Sequence, residues 1–241
     1  MVFTLTTLAE LIGFLATSLL AYCFYIIYQK DNSVLSKLFF YITVFFSLYF
    51  FFTGFGLLFF PQSSLILKTL VVIAVFLESL ACAIMGYAVI YLSSPKIKPF
   101  YGFLFIFILG LLITIFTIKI PFSPVLESAG AVNTINWNTP FIIGIFQFLI
   151  FFITFIPLSI LFFHYSKFLK LPFIKIRAIG MGLMILLGLN AAFIDYFLEG
   201  FLNLIPLCSD FAIGFFGICL ILTLIYFSFQ GRSLTQKVSL G

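Results

Sequence analysis

Glu78 is the residue from which chemistry could start. It lies near the middle of the apolar run 67–92, whose only basic residue, Lys68, stands at the opening of that run. An ionisable side chain at the centre of a bilayer costs about 2.5–3.5 kcal/mol on insertion scales, so it should turn toward other helices and find polar partners there. Asn190, in mid-run of 178–198, is a polar partner of suitable depth; as a neutral acid Glu78 could donate a hydrogen bond to it. Two readings stand for such a pair: a helix–helix hydrogen bond that adds packing, or one wall of a ligand or proton site.

Other candidates gather near the ends of the last two apolar runs. Asp195, Glu199 and Asp210 fall there, and Glu10 falls toward the same end of the first run. Together they would form an acidic mouth open to cationic ligands or protons, or simply solvated carboxylates. Trp137, the one tryptophan, sits in the longest connection between apolar runs. Indole prefers the headgroup layer, so an interfacial anchor is its simplest role, with stacking against a ligand as the sharper one. Glu78, Asn190, Asp195, Asp210 and Trp137 are therefore the candidate ligand-binding residues.

Several chemistries are excluded. His164 is the single histidine, which removes bis-histidine haem ligation and histidine-rich zinc sites. No GxSxG supports an acyl-transfer nucleophile. Microbial rhodopsins place an aspartate four residues before the retinal lysine of their last helix; here the position after Asp210 is Gly214, which cannot form the Schiff base. Cys23, Cys82, Cys208 and Cys219 show no CxxC or Cys/His spacing and read as small buried thiols. No enzyme, cofactor or metal site is expected.

The elements that must position these residues are transmembrane helices. The 241 residues are 64% hydrophobic and only 8% charged, with a mean hydropathy of +1.31. A soluble domain carries roughly 25% charged residues, and this chain cannot cover itself in water. Apolar runs at about 5–28, 38–60, 67–92, 100–118, 140–164, 178–198 and 207–229 predict an all-α bundle of seven spans in a single domain. The first run lacks a basic leader and carries Glu10, so it reads as a span and not as a cleavable signal. Pro157 should kink the fifth helix. The piece from Val132 to Trp137 could form a strand or hairpin.

Orientation follows from the basic residues behind the net charge of +5. Connections after odd-numbered helices, with the tail, hold Lys30, Lys37, Lys96, Lys98, Lys167, Lys170, Lys175, Arg177, Arg232 and Lys237. The other side holds Lys68 and Lys119. Ten against two places the N-terminus outside and the C-terminus in the cytoplasm. The loop from Tyr165 to Arg177 is the most basic and is the candidate docking surface for a partner.

The arrangement resembles the seven-transmembrane sensor region at the N-terminus of some prokaryotic histidine kinases. The resemblance rests on the outside N-terminus, on Lys175-Ile-Arg177-Ala-Ile-Gly180-Met-Gly182 at the start of helix 6, and on the Leu204-Ile-Pro206 turn before helix 7. It implies a receptor-like protein of a prokaryotic cytoplasmic membrane that binds a small ligand inside the bundle. Those regions feed a kinase, whereas this sequence ends at Gly241, so the signal would pass through a separate partner. A non-catalytic subunit of a membrane complex, or a small transporter, is the alternative.

Overall fold

The computed structural model describes residues 3–129, 132–199 and 206–238, with side chains described for 3–128, 132–198 and 206–228. Seven helices are long and apolar enough to cross a membrane. They are α1 (Leu5–Asp31), α2 (Val34–Phe59), α3 (Ser64–Ser93), α4 (Phe100–Lys119), α5 (Phe141–Ser166), α6 (Pro172–Ala192) and α7 (Pro206–Val238), with α6 continuing as the π-helical segment Phe193–Glu199. At 1.5 Å per residue, the 27 residues of α1 reach about 40 Å, more than the roughly 30 Å of hydrocarbon in a bilayer. A helix satisfies its own backbone polar groups, the condition for crossing lipid. Large apolar side chains such as Leu15, Leu112, Phe215 and Leu222 stand exposed, as a lipid-facing surface requires. The chain is a multi-pass membrane protein.

Local residues set the helix ends. Asn32 adopts the left-handed conformation with φ of 46°, which asparagine tolerates better than most residues. Ser33 then accepts a hydrogen bond from the Ser36 amide as the N-cap of α2. Two residues therefore suffice to reverse the chain between α1 and α2.

Pro172, placed in the first turn of α6 where its missing N–H costs nothing, starts that helix six residues before the expected 178. Lys175 and Arg177 consequently belong to α6, and the loop expected to run to Arg177 stops at Leu171. Arg177 is engaged there, donating to the Phe227 carbonyl oxygen at 2.9 Å with its guanidinium 3.8 Å from the Phe173 ring centre. Lys167, Lys170 and Lys175 remain exposed.

The helices pack as a ring in which α1 touches α2 and α7, α2 touches α3, α3 touches α5, α5 touches α6, and α6 touches α7. α4 lies against α3 and α5. The contact between α3 and α4 needs the absence of side chains. A Cβ on Gly102 would lie 2.4 Å from the Gly86 carbonyl oxygen, and one on Gly86 would lie 2.8 Å from the Gly102 oxygen. Such small-residue crossings bring helices together where water gives no hydrophobic drive. Gly102→Ala is expected to push α4 outward and lower stability by about 1–3 kcal/mol, an overpacking cost that thermal unfolding in detergent would read.

Between α4 and α5 the chain forms an antiparallel hairpin, β1 (Val125–Ala129) paired with β2 (Val132–Asn136), in the register Val125↔Asn136 and Glu127↔Thr134. It lies across the end of the bundle formed by the start of α1 and the start of α7. Ile135, 1% exposed, inserts beside Leu57 and Leu67, and Trp137 packs on the same cluster. Asn138, with φ of 49°, takes the chain out of the hairpin toward α5. Its amide donates to the Asn136 Oδ1 at 2.8 Å, and its own Nδ2 donates to the Ser123 carbonyl oxygen at 2.9 Å, tying the two ends of the hairpin together.

Candidate functional site

Glu78 faces the bundle interior and is 3% exposed, as its position in α3 suggests. Its partners are not the expected one. Tyr196 Oη donates to Glu78 Oε1 at 2.9 Å, and Gln147 Nε2 donates to Oε2 at 3.3 Å. Because the Tyr196 hydroxyl proton is used there, the Tyr49 hydroxyl donates in turn to Tyr196 across 3.3 Å. One carboxyl thus joins α2, α3, α5 and the π-helical end of α6.

Asn190 is exposed on the outer side of α6 and takes no part. The reason is helical phase. The buried positions of α6 include Gly182, Ile185, Leu189 and Ala192, spaced three and four apart, and Asn190 lies off that stripe. Beyond Ala192 the wider π turn carries Asp195 and Tyr196 inward, a kind of local irregularity that recurs at functional sites. Backbone approach makes room for it: a Cβ on Gly144 of α5 would sit 2.4 Å from the Tyr196 carbonyl oxygen.

Two cavities flank this network. The first, about 350 Å³, lies under the hairpin and is polar. Glu127, Asn136, Trp137, Gln147, Asp195 and Tyr196 are among its lining residues. The second, about 130 Å³, continues from mid-bundle toward the opposite end and is almost wholly apolar, with Phe39, Phe155, Leu158, Met181 and Leu220 in its walls. Glu78 lines the second, while Tyr49, Asp195 and Tyr196 line both. Neither wall contains a lysine, arginine or histidine.

The expected acidic mouth is largely dismantled. Glu10 is 1% exposed and is held by the Thr53 hydroxyl at 2.5 Å, between α1 and α2. Asp210 is buried outside both cavities, where it accepts the Thr6 hydroxyl at 2.8 Å. Thr6 Oγ1 also accepts the Ile135 amide at 2.8 Å, so Asp210 anchors the hairpin and lines neither of the two cavities. Glu199 and the Leu204–Ile205 turn fall where side chains are not described. Asp195 lines the cavities and takes the Ser209 hydroxyl on Oδ1, and Trp137 forms part of the polar wall.

Sequence reasoning missed Gln147, Tyr49, Tyr196 and Glu127. Gln147 was visible as a polar residue inside an apolar run, whereas nothing separated Tyr49 and Tyr196 from the other tyrosines. The thiols also differ from expectation: Cys82 is buried, Cys23 and Cys219 are half-buried, and Cys208, at the start of α7, is exposed. Among the described residues no group of three or more histidine, cysteine, aspartate or glutamate side chains could hold a metal ion. Compared with protein-family models, with curated proteins and with solved structures, the chain matches none.

Proposed function

We propose that this protein is a receptor-like, non-enzymatic membrane protein that binds a small ligand under the hairpin and signals through a separate partner. The observation that carries this reading is the polar cavity of about 350 Å³ lined by Tyr196 and Gln147, the two residues that hold Glu78. That volume falls within the range of small-molecule pockets, about 300–1,000 Å³. The basic-residue asymmetry puts the hairpin outside and the N-terminus with it, so the ligand arrives from the external side of a prokaryotic cytoplasmic membrane.

The ligand's displacement of Tyr196 moves the α5–α6 pair, with Pro157 as the hinge. Proline lacks the N–H that would bond the Ile153 carbonyl, which leaves α5 one hydrogen bond short at mid-length. Lys167, Lys170 and Lys175, exposed at the cytoplasmic end, face an acidic partner surface. The apolar walls below Glu78 favour a receptor over a transporter, because a polar solute would find no hydrated path to the other side.

The test is a small-molecule library screened by ligand-induced thermal stabilisation in nanodiscs, on wild type and Glu78→Gln. Gln147 can flip its amide to face a glutamine at 78, so the variant is expected to fold with little change in melting temperature. Stabilising ligands should lose at least about tenfold in affinity, equivalent to about 1.4 kcal/mol. Unchanged affinity for every hit would leave Glu78 a packing residue, and the absence of any stabilising ligand would overturn the reading.

A further inference from the structure

The two cavities differ in character and share Tyr49, Asp195 and Tyr196 as lining residues. On the polar side, Asp195 Oδ1 is occupied by Ser209, while Oδ2 has no partner among the described residues. Glu127 accepts Asn136 Nδ2 on Oε1 at 2.9 Å, and its Oε2 is likewise without a partner among them. The same cavity presents the faces or edges of Trp137, Tyr49 and Tyr196. On the apolar side the walls are phenylalanine, methionine and aliphatic side chains, and the one charged side chain besides Asp195, Glu78, has both oxygens occupied.

We propose that the occupant is a small amphipathic amine whose ammonium lies in the polar cavity beside Asp195 and Glu127. Its hydrocarbon tail passes between Tyr49 and Tyr196, parting their hydroxyls, into the apolar cavity. This rests on the ligand-binding reading above and narrows it to a chemical class. An ammonium group supplies N–H donors to the two vacant carboxylate oxygens and is attracted to aromatic faces. A carboxylate or phosphate head would meet two acids with no basic residue in the wall. A hydrophilic ligand without a tail would leave the apolar cavity without contacts, and an unbranched hydrocarbon would leave the carboxylate oxygens desolvated and unpaired.

Trp137 is the single tryptophan of the chain and lines the polar cavity, so its fluorescence reports occupancy. The full chain, in nanodiscs of uncharged lipid, is titrated with n-hexylamine, ethylamine, n-hexanol and hexanoate. Saturable change with n-hexylamine is expected. Ethylamine should bind at least tenfold more weakly, since each buried methylene contributes about a fourfold gain. Hexanol should also bind at least tenfold more weakly, and hexanoate should give no saturable change.

Asp195→Asn should weaken n-hexylamine at least tenfold and leave hexanol unchanged, which separates binding from partition into lipid. Should that variant unfold in thermal denaturation, Met181→Phe takes its place, because the bulkier, stiffer ring narrows the apolar cavity and should reduce the advantage of n-hexylamine over ethylamine. Hexanol or hexanoate equalling n-hexylamine in wild type would overturn the amine class while leaving ligand binding intact. A response to n-hexylamine that does not saturate, or that survives in the variants, would also overturn it. The broader reading is then decided separately by the Glu78→Gln library screen.

Discussion

Thr6→Val is expected to release the hairpin from the bundle. The Thr6 hydroxyl donates to Asp210 and accepts the Ile135 amide, each at 2.8 Å, so one methyl-for-hydroxyl exchange breaks both hydrogen bonds. Asp210 is 4% exposed and would be left without its donor, and the Ile135 N–H would lose its acceptor in a buried position. A hydrogen bond to a charged group contributes about 1.5–3 kcal/mol, and an orphaned buried group adds its own desolvation cost. The combined loss should reach about 3 kcal/mol in thermal unfolding in detergent. Trp137, packed on the Ile135 cluster, should at the same time become more accessible to acrylamide quenching. Thr6→Ser keeps the hydroxyl and should restore both readings. Equal quenching in Thr6→Val and wild type would mean that Ile135 packing alone holds the hairpin.

Gly144→Ala should strike the site itself. The added Cβ would stand 2.4 Å from the Tyr196 carbonyl oxygen, well inside van der Waals contact, so the π-helical segment or α5 has to move. Overpacking of this kind costs about 1–3 kcal/mol. The displaced backbone belongs to the residue whose hydroxyl holds Glu78 at 2.9 Å and accepts from Tyr49 at 3.3 Å. Far-UV circular dichroism should show helix content retained, thermal unfolding should show the stability loss, and any ligand found by the library screen should bind at least tenfold more weakly. Binding at wild-type strength with lowered stability would separate the Tyr196 position from ligand recognition.

The interior placement of Glu78 was legible because a carboxyl in mid-run has few other options in a bilayer. Its partner was not, because an apolar run gives little helical phase. Every face of α6 is hydrophobic enough to meet lipid, so the sequence offered no reason to turn Asn190 outward and Tyr196 inward. Asp210 shows a different limit. A carboxylate near a span end reads the same whether it is solvated or clamped under a hairpin, and only the partner at Thr6, 204 positions away, distinguishes the two. Glu127 was passed over because it lies in a connection, and a connection acquires an inner face only when something packs beneath it.

Composition and spacing by themselves determined that the chain crosses a membrane with seven helices, and roughly where each begins and ends. Those properties depend on the length and polarity of contiguous segments, which are local. Tertiary structure alone decided which polar residues meet. That outcome depends on helix rotation, on the π turn at Phe193–Glu199 and on the close approaches at Gly86, Gly102 and Gly144. Lipid accepts any apolar face equally, so in this protein packing between helices, and not hydrophobic patterning, selects the side that looks inward.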